Sequence, residues 1–343
     1  MAGALRVGLI GAGANTRERH IPGFRAIAGV EIVTVANRSE ASSQQIATQF
    51  DIPRIAPDWQ AVVADPEVDA VCIGTWPYLH AEITLAALAA GKHVLTEARM
   101  ARNAEEALQM LAAAKARPDL VAQVVPSPMT LPVDATIARY VAEGRLGKVR
   151  EVCVNHTTAA YADAFSPLTW RQDIELSGHN TLTLGIYYEA VLRWMGADAK
   201  VESARAAINT SSRARADGSI AAVKIPDSLT VLASYPGGAR LVMHLSGVEP
   251  GAARNEFRLN GSLGGLRLEV ATASLYWCSM GGQEERVIIP TSEHRGWRVE
   301  ADFVDAIRTG SPVRLTDFAT GLRTMQFTDE VWRAWSEGLA GSG

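Results

Sequence analysis

The chain has 343 residues, of which 48% are hydrophobic, and its formal net charge is -4 at pH 7. This length allows about two domains of roughly 100 to 200 residues each, with enough apolar side chains for two cores. The sequence has no run of like charges, which excludes a nucleic-acid backbone or an anionic membrane surface as partner. It also has no stretch of about 18 apolar residues, so no membrane span is predicted.

Three cysteines, Cys72, Cys153 and Cys278, are far apart in strand-like or apolar runs. This spacing predicts reduced core thiols in a cytoplasmic protein and no disulfide framework or metal site. The apolar start, MAGALRVGLIGAG, is interpreted as a first strand and not as an export signal, because it lacks a basic segment before a cleavage site.

The first 125 residues alternate short apolar runs with helical patterns, which is typical of a parallel sheet with crossover helices. The predicted strands are 5–11, 31–36, 69–74, 93–96 and 119–125, and the clearest helices are 81–91 and 103–116. We therefore predict an α/β fold class, with a doubly wound parallel sheet forming a Rossmann domain over residues 1–125.

The pattern changes after the proline-rich segment 126–132. A helix at 133–144, a strand at 149–158, an irregular stretch to 177 and a helix at 179–195 are predicted next. Residues 201–289 show hairpin signals of a mostly antiparallel sheet, and helices at 297–309 and 316–337 follow. We predict an α+β domain over 126–343 for substrate binding and oligomerisation, whose final helices pack against the first domain.

The turn after the first strand contains Gly11 and Gly13, followed by Ala14, Asn15 and Thr16. Bare backbone N–H groups at a strand-to-helix turn bind pyrophosphate, although Thr16 occupies the position of the third glycine in the usual motif. A tight turn without a ligand is the alternative. Because the turn opens the first βαβ unit, it favours a dinucleotide site.

The residues that follow the second strand indicate whether the ribose of that dinucleotide carries a 2′-phosphate. An acid at this place would bind both ribose hydroxyls of NAD(H), but the sequence provides Asn37, Arg38 and Ser39. Since Arg38 can pair with a 2′-phosphate, NADP(H) is favoured and NAD(H) remains possible. The alternative is that Arg38 is a solvated loop arginine.

Four segments resemble the glucose-fructose oxidoreductase / inositol dehydrogenase family (Gfo/Idh/MocA) over nearly the whole length: GAGANTRERHIPGF, TWPYLHAEITLAALAAGKHVLTEARMA, WRQDIELSGHNTLTLGIYYEAVLRWMG and DFVDAIRTGSPVRLTDFATGLRTMQ. The resemblance implies hydride transfer between a nicotinamide and a sugar or polyol carbon. It also implies a C-terminal open sheet that forms a homodimer or homotetramer.

The chain departs from this family at its catalytic positions. Where typical members carry Glu-Lys-Pro, this sequence has Glu97-Ala98-Arg99, and the usual Asp-x-x-x-His of the second domain falls on Thr183 and Tyr187. If the helix begins by residue 179, then His179, Thr183 and Tyr187 share one stripe. Tyr187 or His179 would then exchange the substrate proton, with Arg99 as the cation that lowers the pKa of the tyrosine.

Other residues have a functional and a structural interpretation side by side. Glu97 matches the family acid near the nicotinamide, or it is a surface acid at a strand end. His179 caps a helix and Tyr187 packs in a core in the structural alternative. Helix-start or surface roles are the alternative for Asn180. Further candidates for the cofactor are Thr75, Trp76 and His80, and candidates for the substrate are Trp170, Arg171, Asn180 and Thr183. Packing is the alternative for Trp76, a structural role for His80, and a solvated loop for Trp170 and Arg171.

The sequence therefore predicts a cytoplasmic NADP(H)-dependent oxidoreductase that acts on a hydroxyl or carbonyl of a carbohydrate-like small molecule. Two other functions stay open. One is a lyase, hydrolase or isomerase that oxidises its substrate transiently with tightly held cofactor, and the other is a non-catalytic NADP(H)-binding sensor or scaffold.

Overall fold

The structure is a computed structural model that describes residues 3–340. Its strands are β1 (Leu5–Ile10), β2 (Val30–Ala36), β3 (Arg54–Ile55), β4 (Ala70–Ile73), β5 (His93–Thr96), β6 (Ala122–Val124), β7 (Val149–Thr157), β8 (Lys200–Ala207), β9 (Ser212–Ala214), β10 (Ile220–Ala222), β11 (Ser228–Ser234), β12 (Arg240–Ser246), β13 (Arg254–Gly261), β14 (Gly264–Glu269), β15 (Ser274–Ser279) and β16 (Glu284–Arg286). Its α-helices are α1 (Ile21–Arg25), α2 (Glu40–Gln49), α3 (Trp59–Ala64), α4 (His80–Ala89), α5 (Ala104–Ala116), α6 (Asp134–Ala142), α7 (Ile174–Ser177), α8 (Leu184–Met195), α9 (Val299–Thr309) and α10 (Phe318–Ala340).

The described chain forms two units. The first consists of the chain up to Pro126 together with Arg298–Met325, and the second consists of Ser127–Trp297 together with the chain from Gln326. None of the helices within residues 3–340 is both long and apolar enough to cross a membrane.

The first unit is built on a parallel six-stranded sheet with the order β3-β2-β1-β4-β5-β6. All five predicted strands of this region are present, and β1 has four buried residues in succession because helices cover both faces of the sheet. The strand order places the carboxyl ends of β1, β2 and β4 side by side. Ligands of doubly wound sheets bind at such an edge.

The second unit contains an eight-stranded sheet with the order β16-β15-β14-β13-β7-β12-β11-β8. Neighbouring strands are antiparallel except for β12 and β7, which are parallel. The predicted hairpins are present as β11–β12 and β13–β14. The mixed fold class predicted from the sequence is therefore confirmed.

The helix of the second unit that was predicted to begin at 179 begins at Leu184. Gly178 and Leu182 have φ angles of 65° and 49°, which an α-helix does not accommodate, so the chain makes an irregular turn between α7 and α8. The single stripe of His179, Thr183 and Tyr187 is consequently wrong, because only Tyr187 lies within the helix.

The three cysteines are free thiols, as expected from their spacing, but only Cys72 is buried. Cys153 and Cys278 have intermediate exposure, since alternate residues of a strand face opposite sides of its sheet. The expectation that all three belong to a core is wrong for these two.

Candidate functional site

The turn after β1 has the geometry of a phosphate cradle. Gly11 has a φ angle of 82°, and a Cβ added there would meet the backbone of Gly74 and Thr75 at 2.8–2.9 Å. A Cβ on Gly74 would in turn meet the carbonyl oxygen of Gly11 at 2.3 Å. These contacts explain the two glycines, since only bare backbone lets the ends of β1 and β4 approach so closely.

Asn37 connects this turn to the end of β2. Its Oδ1 accepts a hydrogen bond from the backbone N–H of Ala12 at 2.7 Å, and its Nδ2 donates to the Ser42 carbonyl and hydroxyl. The side chain therefore holds the glycine turn open while its neighbours Arg38 and Ser39 project from the same strand end.

A cavity of about 430 Å³ lies over this edge of the sheet, a size typical of small-molecule sites. The predicted residues that line it are Gly11, Gly13, Asn37, Arg38, Ser39, Thr75 and Trp76. The Thr75 hydroxyl oxygen is buried and has no hydrogen-bond partner among residues 3–340. A glycine cradle and an unsatisfied polar atom in one cavity fit a dinucleotide.

The guanidinium of Arg38 lies above the ring of Trp76, with its Cζ 5.5 Å from the ring centroid. Such a cation–π contact orients an otherwise exposed arginine. The lining on this side also includes Ser42, Asp58, Trp59 and Tyr78, which are not among the residues predicted from the sequence. Asp58 and Trp59 follow β3, a two-residue strand too short to predict from hydrophobic periodicity.

The remaining cofactor candidates do not line this cavity. Ala14 is exposed in the turn, whereas Thr16 is buried and donates its hydroxyl hydrogen bond to the Gly11 carbonyl. His80 is fully buried, and its ring nitrogens lie 2.9 Å and 3.0 Å from the carbonyl oxygens of Arg99 and Thr75. His80 therefore braces two loops, which is the structural role that the sequence left open as the alternative, and its contact with the cofactor stays a prediction.

A carboxylate cluster lies at the end of β5. Glu97 Oε1 accepts a hydrogen bond from Asn15 Nδ2 and lies 2.9 Å from Nε2 of His20, whose Nδ1 lies 2.5 Å from Glu300 Oε1. Burial lowers the pKa of His20, but hydrogen bonds to Glu300 and Glu97 outweigh it and raise this pKa to about 9. Burial has the opposite effect on Glu97, because it penalises the charged carboxylate and so raises the pKa. The contact with His20 outweighs burial, and the pKa of Glu97 lies below its ordinary value.

The cluster thus contains an imidazolium between two carboxylates at neutral pH. The sequence predicts Asn15 and Glu97 as members of the site, but it does not predict His20 and Glu300, which are separated by 280 positions. Ala98 stands where the family lysine would be, and the Ala98–Arg99 peptide bond is cis. Arg99 is buried; it belongs to the first unit and Tyr187 to the second, so their pairing stays a prediction.

In the second unit, α8 places Tyr187 against the sheet. The phenol is fully buried and contacts two polar side chains, donating to Asn255 Oδ1 at 2.6 Å and lying 2.8 Å from His156 Nδ1. Its ring stacks on His156 and on Phe257. Burial raises the pKa of Tyr187 well above its ordinary value.

His179 precedes α8 and forms a second polar pair. Its Nδ1 lies 2.8 Å from Asp329 Oδ1, and its ring stacks on Trp332 with an interplanar angle of 11°. Both partners belong to α10, which the sequence placed correctly as a helix without identifying this contact. A carboxylate on Nδ1 leaves Nε2 to accept a proton, as a catalytic histidine requires.

The predicted substrate residues have different surroundings. Trp170 and Arg171 begin a short 3-10 helix, where the Arg171 guanidinium lies 4.3 Å from the Trp170 ring centroid. Asn180 is buried and donates to the Ser177 carbonyl, which fixes the turn before α8. The Thr183 hydroxyl oxygen is buried without a hydrogen-bond partner within the described chain, one turn before Tyr187.

Comparisons with known proteins agree with this architecture. Residues 5–124 match the Gfo/Idh/MocA description "Oxidoreductase family, NAD-binding Rossmann fold", and residues 135–267 match the Gfo/Idh/MocA C-terminal domain. A levoglucosan dehydrogenase in complex with NADH and L-sorbose has the same fold, with a TM-score of 0.87 at 22% identity over 97% of both chains.

Several sequence relatives have named activities, and two of them act on carbohydrates according to their names. Levoglucosan dehydrogenase of Pseudarthrobacter phenanthrenivorans is 31% identical over 148 residues, which cover 43% of this chain and 38% of that protein. The 1,5-anhydro-D-fructose reductase of Ensifer adhaerens is 42% identical over 110 residues, which cover 32% of this chain and 33% of that protein. The matched regions therefore span about a third of either relative.

Proposed function

The chain belongs to the Gfo/Idh/MocA family of oxidoreductases, and on this premise we propose that it interconverts a hydroxyl and a carbonyl on a sugar-like or polyol-like molecule with NADP(H). The relatives whose names include levoglucosan and 1,5-anhydro-D-fructose support a cyclic carbohydrate as substrate class. The observation that carries the proposal is the cavity at the ends of β1, β2 and β4.

Arg38 supports the choice of NADP(H). The three residues after β2 include no carboxylate to bind the ribose hydroxyls of NAD(H), and Arg38 is held over Trp76 at the rim of the cavity. A guanidinium binds a phosphate through charge-assisted hydrogen bonds, which a hydroxyl in the same place cannot match. The extra phosphate of NADP(H) would therefore gain affinity at this residue.

The nicotinamide supplies the hydride acceptor for oxidation and the hydride donor for reduction when it is bound. This chain's own residues position the reactants and handle the proton. Glu97 is held by Asn15 and His20, so its carboxylate is oriented before any ligand arrives. We propose that Glu97 and Arg99 position the reactants and that Tyr187 or His179 belongs to the proton-exchanging site.

We also propose that copies of the chain assemble into a homodimer or homotetramer through the sheet of the second unit. The face opposite α8 carries a cross-strand pair of Leu232 and Val242, and Val242 is paired in turn with Cys153. Leu232 is 45% exposed in the single chain. An apolar strip on a sheet face fits association with a second copy of itself.

Cofactor binding tests the role of Arg38. The cofactor-stripped protein is titrated with NADPH and with NADH while energy transfer from tryptophan to the nicotinamide is followed. We expect wild type to prefer NADPH and R38Q to bind NADPH about 10- to 100-fold more weakly, or about 1.4–2.7 kcal/mol, with NADH affinity nearly unchanged. R117Q is the matched control, since Arg117 pairs with Asp119 after α5, away from the cavity. Equal affinity for both cofactors in wild type would contradict the proposal.

Turnover tests the reaction. Levoglucosan with NADP⁺ and 1,5-anhydro-D-fructose with NADPH are the first substrates, and nicotinamide absorbance is compared with product formed. A stoichiometric change supports a dehydrogenase or reductase. Product without net absorbance change indicates transient oxidation, and binding without product from any substrate indicates a sensor.

A further inference from the structure

The contacts around Tyr187 define the protonation of His156. A phenol has one proton, and the Tyr187 hydroxyl donates it to Asn255 Oδ1 at 2.6 Å. The same oxygen lies 2.8 Å from His156 Nδ1. Because the phenol proton is already committed, this second contact requires Nδ1 to carry a hydrogen and to donate it to the phenol.

The tautomer has a direct consequence for the other ring nitrogen. With hydrogen on Nδ1, a neutral imidazole has its lone pair on Nε2. His156 is only partly buried, and its Nε2 makes no hydrogen bond to any residue within 3–340. A proton acceptor of fixed orientation is thus available to a ligand beside the buried phenol.

The surroundings keep this imidazole neutral. Tyr187 is the titratable group that packs against it from α8, and its strand partners are Asn255 on β13 and Leu245 on β12, neither of which is charged. Burial lowers the pKa of His156 below its usual value. The ring is therefore in its basic form at neutral pH.

We propose that His156 is the catalytic base of the oxidation, accepting the substrate hydroxyl proton on Nε2, and that Tyr187 is a positioning residue that holds the imidazole in this tautomer. This inference rests on the proposed function. It also explains how the chain supplies an imidazole although the helix position of the family histidine carries Tyr187.

The proposed step balances in protons and electrons. The substrate O–H bond breaks and its proton goes to Nε2, while the hydride leaves the adjacent carbon with its electron pair for the oxidised nicotinamide, NADP⁺. The carbon–oxygen double bond forms, and the imidazolium then releases its proton to solvent. In the reduction, the imidazolium donates the proton in the reverse order.

The tautomer is measured first, on the full chain without substrate or cofactor. Protein labelled with ¹⁵N at histidine gives ring-nitrogen signals by NMR, and the signal lost in H156Q belongs to His156. We expect a protonated Nδ1 and an unprotonated Nε2 at pH 7.5, and a loss of this preference in Y187F. A proton on Nε2 in wild type would overturn the proposal.

Kinetics with NADP⁺ and a turned-over substrate, levoglucosan first, test the catalytic role. We expect the kcat of H156Q to be about 10²- to 10⁴-fold lower than that of wild type. In wild type, protonation of the base should lower kcat at acidic pH, and this pH dependence should be absent in H156Q. Added imidazole should partly restore H156A, an effect that a structural role would not produce. NADPH affinity should be unchanged, because the cavity belongs to the first unit.

The two proposals can fail separately. If wild type is active and H156Q keeps both its kcat and the acidic decrease, His156 has no catalytic role. The same conclusion follows if H179Q, rather than H156Q, loses them. If wild type transfers no hydride with any substrate of the panel, the proposed function fails, and the catalytic step fails with it.

Discussion

The single side chain of His20 connects two segments of the first unit that are far apart in the sequence. It is fully buried between Glu97 and Glu300, and its pKa is raised to about 9 from an ordinary value of 6.5. A group with a raised folded pKa stabilises the protein fully below its unfolded pKa, and this stability is lost as the pH rises through the folded pKa. We expect the free energy of unfolding to fall by about 2 kcal/mol between pH 7 and pH 9.

Urea unfolding of wild type and H20Q across this range measures the effect. The variant should be less stable at pH 7 by about 2–4 kcal/mol, because a buried carboxylate loses its cation, and its stability should vary less with pH. H294Q is the control, since His294 is exposed. An equal fall in stability of H20Q and wild type from pH 7 to pH 9 would show that another group titrates.

Residues in local motifs could be predicted from the sequence, and those that meet across the fold could not. Gly11 and Arg38 lie at fixed places after the first two strands, so strand prediction was enough to place them at the cavity. The meeting of His20 with Glu300, or of His156 with Tyr187, depends on which elements pack together. A single sequence carries no periodic signal for such contacts.

At the scale of elements, hydrophobic periodicity located the longer strands far better than it located the start of α8, as β1, β2, β4 to β7 and the hairpins β11–β12 and β13–β14 show. Residues 179–183 have the spacing of a helix, yet the positive φ angles of Gly178 and Leu182 interrupt it. A leucine in the left-handed region has no sequence signature, because this conformation is costly for its side chain. This difference matters for the site, because His179 lies before the helix and contacts Asp329 instead of sharing a helix face with Tyr187.

Helix α1 packs closely on α9 at Gly23, and a substitution at this glycine tests the contact. A Cβ added at Gly23 would lie 2.4 Å from Glu300 Oε2, the carboxylate that binds His20. Alanine gains about 1 kcal/mol in helix propensity, but displacing a buried ion-pair partner costs about 3–5 kcal/mol. The second effect is larger, so we expect G23A to be destabilised by about 2–4 kcal/mol in urea unfolding.

The control is G338A in α10, where the nearest atom is Nη1 of the exposed Arg205, which can move away. It should show no loss of stability. Combining G23A with H20Q should give less than the sum of the two losses, because both act on Glu300. Additive losses would mean that Gly23 is needed for a reason other than this carboxylate.

At the scale of the whole molecule, the first unit is assembled from two distant chain segments. The bridge between Gln123 and Asp317 and the hydrogen bond from Gln123 to Val299 attach the later segment to the edge of the parallel sheet. Glu300, which contacts His20, belongs to this later segment. Alternating strands and helices predicted the sheet, but no local pattern shows which sheet a terminal helix joins.

The open sheet face of the second unit leads to a prediction about assembly. Leu232 and Val242 are cross-strand partners on the face opposite α8, and burying them against a second copy would remove apolar surface from water. L232E and V242E place a charge in that strip. If each residue is buried in the interface, each substitution should weaken self-association by about 2–4 kcal/mol, roughly 30- to 1000-fold in Kd.

Size-exclusion chromatography with light scattering at micromolar concentration measures the species present. We expect wild type to run as a dimer or tetramer and the two variants to shift toward the single chain. I288E is the matched control, because Ile288 is 90% exposed and lies outside the sheet strands. NADPH binding should persist in every variant, since the cavity belongs to the first unit. A wild type that remains a single chain would refute assembly through this face, and a shift caused equally by I288E would mean that any added charge separates the copies.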